Sequence, residues 1–138
     1  MDRLTSTGIR QRFPAEAEAR ARIGKFYYRP PGGESWCDVA LRVRSMIDSL
    51  GMRFADRDVV VVAHEVVILL FRYVLEDLTE AEVLEIGRVE PMANCALTTF
   101  VFDRAAGRLT LREYAQTMPV EEHGAAVTVE PDAPSAPR

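Results

Sequence analysis

A chain of 138 residues with 48% apolar side chains is long enough for one domain with a real core. Its net charge of −4, with arginines scattered among acids rather than gathered in a stripe, argues against a nucleic-acid binder. No run approaches the ~18 apolar residues that a membrane-spanning helix needs, and the opening stretch lacks the apolar centre of a signal peptide.

Residues 1–24 are polar and arginine-rich, with a helical pattern over Ala15–Ile23. In Lys25–Trp36, Pro30-Pro31 followed by Gly32-Gly33 can continue neither a helix nor a central strand, so the segment is expected to be a loop. A helix should begin after Ser35, because Ser35 with Asp38 makes a capping-box pattern. Val39, Val43, Met46, Ile47 and Leu50 then share one face, and Gly51 is placed to end the helix.

Asp58–Ala63 is the clearest strand in the sequence. It is apolar at every position after Asp58 rather than alternating, as a parallel strand covered on both faces would be. His64 and Glu65 follow, and Val66–Leu78 has a helical face of Val67, Leu70, Phe71, Val74 and Leu78. Thr79 and Glu82 form a second capping-box pattern, opening a short helix that Gly87 is expected to close. Leu97–Phe102 and Arg108–Tyr114 read as a hairpin, and 119–138, with four of the chain's prolines, reads as a disordered tail.

This order predicts an α/β layered fold whose sheet is short of strands, because Val59–Val62 wants a neighbour on each side. The expected organisation is one domain over 1–118 followed by the tail 119–138.

Several residues could carry chemistry. His64 sits at the carboxyl end of the predicted strand and just before a helix, where anions bind. Position alone leaves open whether it binds a ligand or only ends the strand. Glu65 could act chemically or serve as a favourable charge in a first helical turn. Arg29, with Tyr28, Tyr27 and Lys25, forms a basic-aromatic cluster that could grip a phosphate or simply anchor a surface loop. Glu34 and Ser35 could be capping residues alone, and Asn94 a turn residue. His64-Glu65 lacks a second histidine four residues on, so no zinc-protease motif exists, and neither a metal nor a cofactor is expected. Cys37 and Cys95 lie outside any CxxC pair; each is expected to be a small buried thiol in a reducing cytoplasm. His123 falls in the tail and should be solvated.

The run Tyr28-Arg-Pro-Pro-Gly-Gly-Glu-Ser-Trp36, a helix, and then Asp58-Val-Val-Val-Val-Ala-His64 resembles the histidine phosphatase (phosphoglycerate-mutase-like) superfamily. The resemblance spans roughly residues 4–115, its closing strands corresponding to Asn94–Tyr114. It implies a three-layer α/β sandwich. It also implies phosphate monoester hydrolysis through a phosphohistidine, with arginines and a second histidine holding the phosphoryl oxygens and a carboxylic acid protonating the leaving group. His64 matches the second histidine. Tyr28, Arg29, Glu34 and Asn94 fall where substrate contacts are expected, and the implied ligand is a phosphorylated small molecule.

The chain departs from that pattern in specific places. No Arg-His-Gly motif is present, so the nucleophile is absent, and the cradle arginines and the acid that accompany it have no counterpart. Glu65 stands where many relatives have glycine. Cys37 is a poor substitute nucleophile inside a capped helix. The expectation is the C-terminal half of such a domain, its sheet lacking the first strand and inactive alone. Three readings stay open: a half completed by another polypeptide or an upstream segment, a non-catalytic remnant that binds a phosphorylated ligand or a protein, and a module that self-associates as a homodimer through an exposed sheet edge.

Overall fold

The computed structural model describes residues 6–128. Among them the chain is α/β, with six helices and one two-stranded antiparallel sheet. They fall into two compact units, one reaching to Val39 and one starting at Ala40.

The first unit opens with α1 (Ser6–Arg12) and α2 (Pro14–Ile23). Pro14 takes the first turn of α2, where its missing N–H is no loss. No residue of α2 is buried; its alanines, glutamates and arginines form a helix largely by local propensity. Gly24, at φ 93°, ends it, a backbone conformation that residues with a Cβ rarely adopt. Phe26 is the buried centre of this unit. Its ring meets Tyr27 edge-on at 5.4 Å and lies 6.1 Å from Trp36, over which the Lys25 ammonium sits at 4.9 Å. The segment from Lys25 to Ser35 is a loop, as its prolines and glycines require.

Helix α3 (Trp36–Arg53) starts at the expected capping box. The Asp38 N–H donates to the Ser35 hydroxyl at 3.2 Å, and the Asp38 carboxylate accepts from the Ser35 N–H at 2.8 Å. Ala40 and Val43 are buried and Met46, Ile47 and Leu50 half-buried, so the apolar face is the one the spacing indicates. Gly51 does not end the helix, which runs on to Arg53. Interior glycine costs only about 1 kcal/mol, too little to stop a helix whose hydrogen bonds continue.

In the second unit, α4 (Glu65–Leu75) and α5 (Glu80–Val89) pack together around Leu69, Leu70 and Val83, each at most 2% exposed. Helix α4 ends before Leu78; Asp77 takes φ 53° and turns the chain toward Thr79. The Thr79–Glu82 capping box forms as expected. Gly87 lies inside α5 rather than closing it. A Cβ there would come within 2.8 Å of Leu69 Cδ1, so the glycine allows the two helices to approach.

The hairpin comprises β1 (Leu97–Asp103) and β2 (Arg108–Gln116), with Phe100 opposite Leu111 and Phe102 opposite Leu109. The Asp103 carboxylate accepts N–H bonds from Ala105 and Ala106, and Gly107 closes the turn at φ 66°. Phe71 of α4 faces Phe100 at 6.4 Å, seating the hairpin on the helix. A short helix, α6 (Met118–Glu122), follows, and Thr128 is bonded to Asn94; residues 129–138 of the predicted tail lie outside the described residues.

Asp58–Ala63 corrects the sequence reading. The segment is not a strand and has no regular secondary structure, and it is not buried: Val60 is 86% exposed and Val62 95%. Among the described residues no backbone hydrogen bond is made from 58 to 63. A strand requires a neighbour to receive its N–H and C=O groups, and the only strands among the described residues, β1 and β2, pair with each other.

Candidate functional site

The sequence-predicted residues divide between the two units: Tyr28, Arg29 and Glu34 in the first, His64 and Asn94 in the second.

In the first unit Arg29 is engaged by Asp38. Its Nε donates to Asp38 Oδ2 at 2.8 Å, and its Nη2 donates to Oδ1, a side-by-side pairing that ties the proline-glycine loop to the first turn of α3. Asp38 also accepts from the Ser35 hydroxyl at 2.7 Å. The Ser35 hydroxyl, the Ser35 N–H and the Arg29 guanidinium together hold the Asp38 carboxyl at about 2, well below its ordinary 3.8. Asp38 is thus both cap and counter-ion. The sequence indicates only the cap, because nothing in it shows that Arg29, nine residues earlier, folds back. The guanidinium remains 65% exposed on its side-chain surface, leaving its Nη1 edge turned away from Asp38.

The Tyr28 hydroxyl donates to Glu16 Oε2 of α2 at 2.7 Å. Partial burial and the neighbouring carboxylate raise its phenol above the ordinary 10.0, so it stays a neutral donor. Glu34 is exposed, at the loop's edge.

In the second unit His64 is the N-cap residue of α4, with extended backbone (φ −74°, ψ 155°). Its carbonyl accepts from the Val67 N–H at 2.9 Å, while its imidazole makes no capping bond and is exposed. His64 thus stands at the N-terminus of an eleven-residue helix, the positive end of its dipole. Glu65 is turned elsewhere: its Oε1 accepts the Met92 backbone N–H at 2.9 Å. That bond joins the start of α4 to the segment leading into β1, two residues before Asn94. Asn94 itself is spent on Thr128, through its backbone N–H at 2.7 Å and its Nδ2 at 3.0 Å.

A second cluster, absent from the sequence-based expectations, joins α4 to β2. The Arg72 guanidinium stacks over the Tyr114 ring at 4.5 Å and holds Glu76 through two hydrogen bonds of 2.7 and 3.0 Å. It clamps β2 onto α4, and burial raises the Tyr114 phenol above 10.0.

The cysteines are not where the sequence reading put them. Cys37 is half-buried and Cys95 exposed, at φ 60°, and neither is in a disulfide. Cys95 sits with Asn94 in a turn before β1, which the Ala96 N–H closes by donating to the Ala93 carbonyl at 3.2 Å. His123 is exposed at the end of α6. Among the described residues no helix is long and apolar enough to cross a membrane.

The sequence profile described as the histidine phosphatase superfamily (branch 1) matches residues 1–115. A 6-phosphofructo-2-kinase/fructose-2,6-bisphosphatase from Caenorhabditis elegans is 32% identical over 115 residues, covering 78% of this chain and 24% of the relative. The chain thus spans about a quarter of that protein's length. No solved structure matches.

Proposed function

Taking as premise that the chain belongs to the histidine phosphatase superfamily, we propose that it supplies the phosphoryl-binding side of a phosphate monoester hydrolase. In the complete domain, which we read as a three-layer sandwich, a histidine nitrogen attacks phosphorus and the ester P–O bond breaks. The leaving oxygen takes its proton from a carboxylic acid, and water then releases phosphate from the phosphohistidine. His64 is the phosphoryl ligand in this scheme, and its placement carries the reading: an exposed histidine at the N-cap of α4. The nucleophile has no Arg-His-Gly in this sequence to come from. It must be contributed by a complementing segment or chain, which would also give Val59–Val62 a strand to pair with. Arg29, Tyr28, Glu34 and Asn94 are assigned to the substrate side. Arg29 offers its outward edge, and Asn94 would have to exchange its Thr128 partner for substrate.

The named activity of the relative makes a sugar bisphosphate the first substrate to test, with a cytoplasmic setting. The test is phosphate release from p-nitrophenyl phosphate and from fructose 2,6-bisphosphate, by the chain alone and with an added segment carrying Arg-His-Gly. The expected result is no turnover alone, turnover on complementation, and its loss with His64→Ala. A labelled phosphoenzyme trapped on the isolated chain would overturn the assignment.

A second reading, a non-catalytic binder of a phosphorylated ligand, is favoured by the missing Arg-His-Gly, which removes the nucleophile while His64 is kept. Phosphate binding by the isolated chain, weakened by His64→Ala and unaccompanied by activity after complementation, would select it.

A further inference from the structure

We propose that residues 117–128 form an autoinhibitory strap: Thr128 occupies the donors of Asn94, and a phosphorylated ligand gains them only when the strap lifts. The proposal rests on the assignment of His64 and Asn94 to the ligand side made above. Asn94 donates its backbone N–H to the Thr128 carbonyl at 2.7 Å and its Nδ2 to the Thr128 hydroxyl at 3.0 Å. A phosphoryl or sugar oxygen that approaches Asn94 competes for the same two donors.

The return of the chain to Asn94 is built into α6. Thr117 Oγ1 donates to Glu121 Oε1 at 2.7 Å along the helix. The helix then ends in a Schellman motif: the Gly124 N–H donates to the Glu121 carbonyl at 2.9 Å and the Ala125 N–H to the Val120 carbonyl at 3.1 Å, with Gly124 at φ 67°. That motif turns the chain out of the helix, and Thr128 then meets Asn94. Little apolar burial holds the segment, because every residue from 121 to 128 is exposed. A segment held by exposed hydrogen bonds opens without the rest of the fold. Strap and ligand compete for one residue, so each weakens the other by the same factor.

Titration calorimetry of the full chain with fructose 2,6-bisphosphate, beside nuclear magnetic resonance of the Thr128 amide, tests this. Gly124→Val sets a β-branched residue at a positive φ and should loosen Thr128 while leaving the global unfolding transition unchanged. It should tighten the bisphosphate about three- to tenfold, and Thr128→Val, which removes the hydroxyl acceptor but keeps the carbonyl, about twofold. In an Asn94→Ala background Gly124→Val should have no effect on affinity. In the wild type, saturation with the bisphosphate should release Thr128. The proposal is overturned by a Thr128 equally ordered in Gly124→Val and wild type, or by a loosened Thr128 with unchanged affinity. It is overturned too by a gain that persists without Asn94, or by a ligand that leaves Thr128 in place. Inorganic phosphate separates the two levels. If its binding is lost in His64→Ala while the strap variants change nothing, the strap alone fails; if it shows no dependence on His64, the phosphoryl-binding reading fails and the strap with it.

Discussion

Glu65 Oε1 accepts the backbone N–H of Met92, 27 residues away, at 2.9 Å. Through it the first turn of α4, which carries His64, is held to the segment entering the hairpin. Met92 is 8% exposed, so water cannot readily replace the acceptor. Glu65→Ala should destabilise the chain by about 1–3 kcal/mol, while Glu65→Gln, which keeps a carbonyl oxygen in place, should stay near wild type. Denaturant unfolding of the pair checks this; equal losses would show that the bond is incidental.

Gly87 and Leu69 make a second long-range pair. A Cβ at position 87 meets Leu69 Cδ1 at 2.8 Å, and Leu69 is 2% exposed with little room to move. Overpacking of about 1–3 kcal/mol should exceed the ~1 kcal/mol that alanine gains over glycine in a helix, making Gly87→Ala destabilising. In a Leu69→Ala background the clash is gone and Gly87→Ala should become stabilising. The sign reversal is read from a double-mutant cycle in thermal unfolding.

The Asp38 carboxyl is lowered from 3.8 to about 2 by Ser35 and Arg29. A depressed carboxyl contributes stability that is fully present above the unfolded value and is lost as pH falls through the folded one. The melting-temperature gap between wild type and Asp38→Asn should therefore be widest above pH 4 and close between about pH 4 and pH 2. A gap independent of pH would mean that the charge is not what stabilises the capped loop.

Leu70 is fully buried, and Val60 is 86% exposed. Leu70→Ala should cost about 2–5 kcal/mol, whereas Val60→Ala, measured at concentrations too low for self-association, should change stability by less than ~0.5 kcal/mol. A large cost for Val60→Ala would show that the segment is packed within the isolated chain.

The sequence by itself determined the elements whose causes are local. Ser35 with Asp38 and Thr79 with Glu82 start α3 and α5 because each pair satisfies backbone donors three residues apart. The same holds for the loop at Pro30–Gly33 and for the Asp103–Gly107 turn, whose geometry follows from the residues inside them. The resemblance carried by His64 and the Tyr28–Trp36 run was legible too, and the superfamily assignment agrees with it.

Only the tertiary structure decided what depends on a distant partner. Gly51 and Gly87 look alike as helix stops, yet the helices continue through both, and at Gly87 the reason is Leu69 in another helix. Arg29 reads as a phosphate hand and is found on Asp38; Asn94 reads as a turn residue and is one, but its side chain and N–H also reach Thr128, 34 residues on. Val59–Val62 shows the limit most plainly. Four branched valines favour a strand, but a strand exists only when a neighbour accepts its hydrogen bonds, and among the described residues none does.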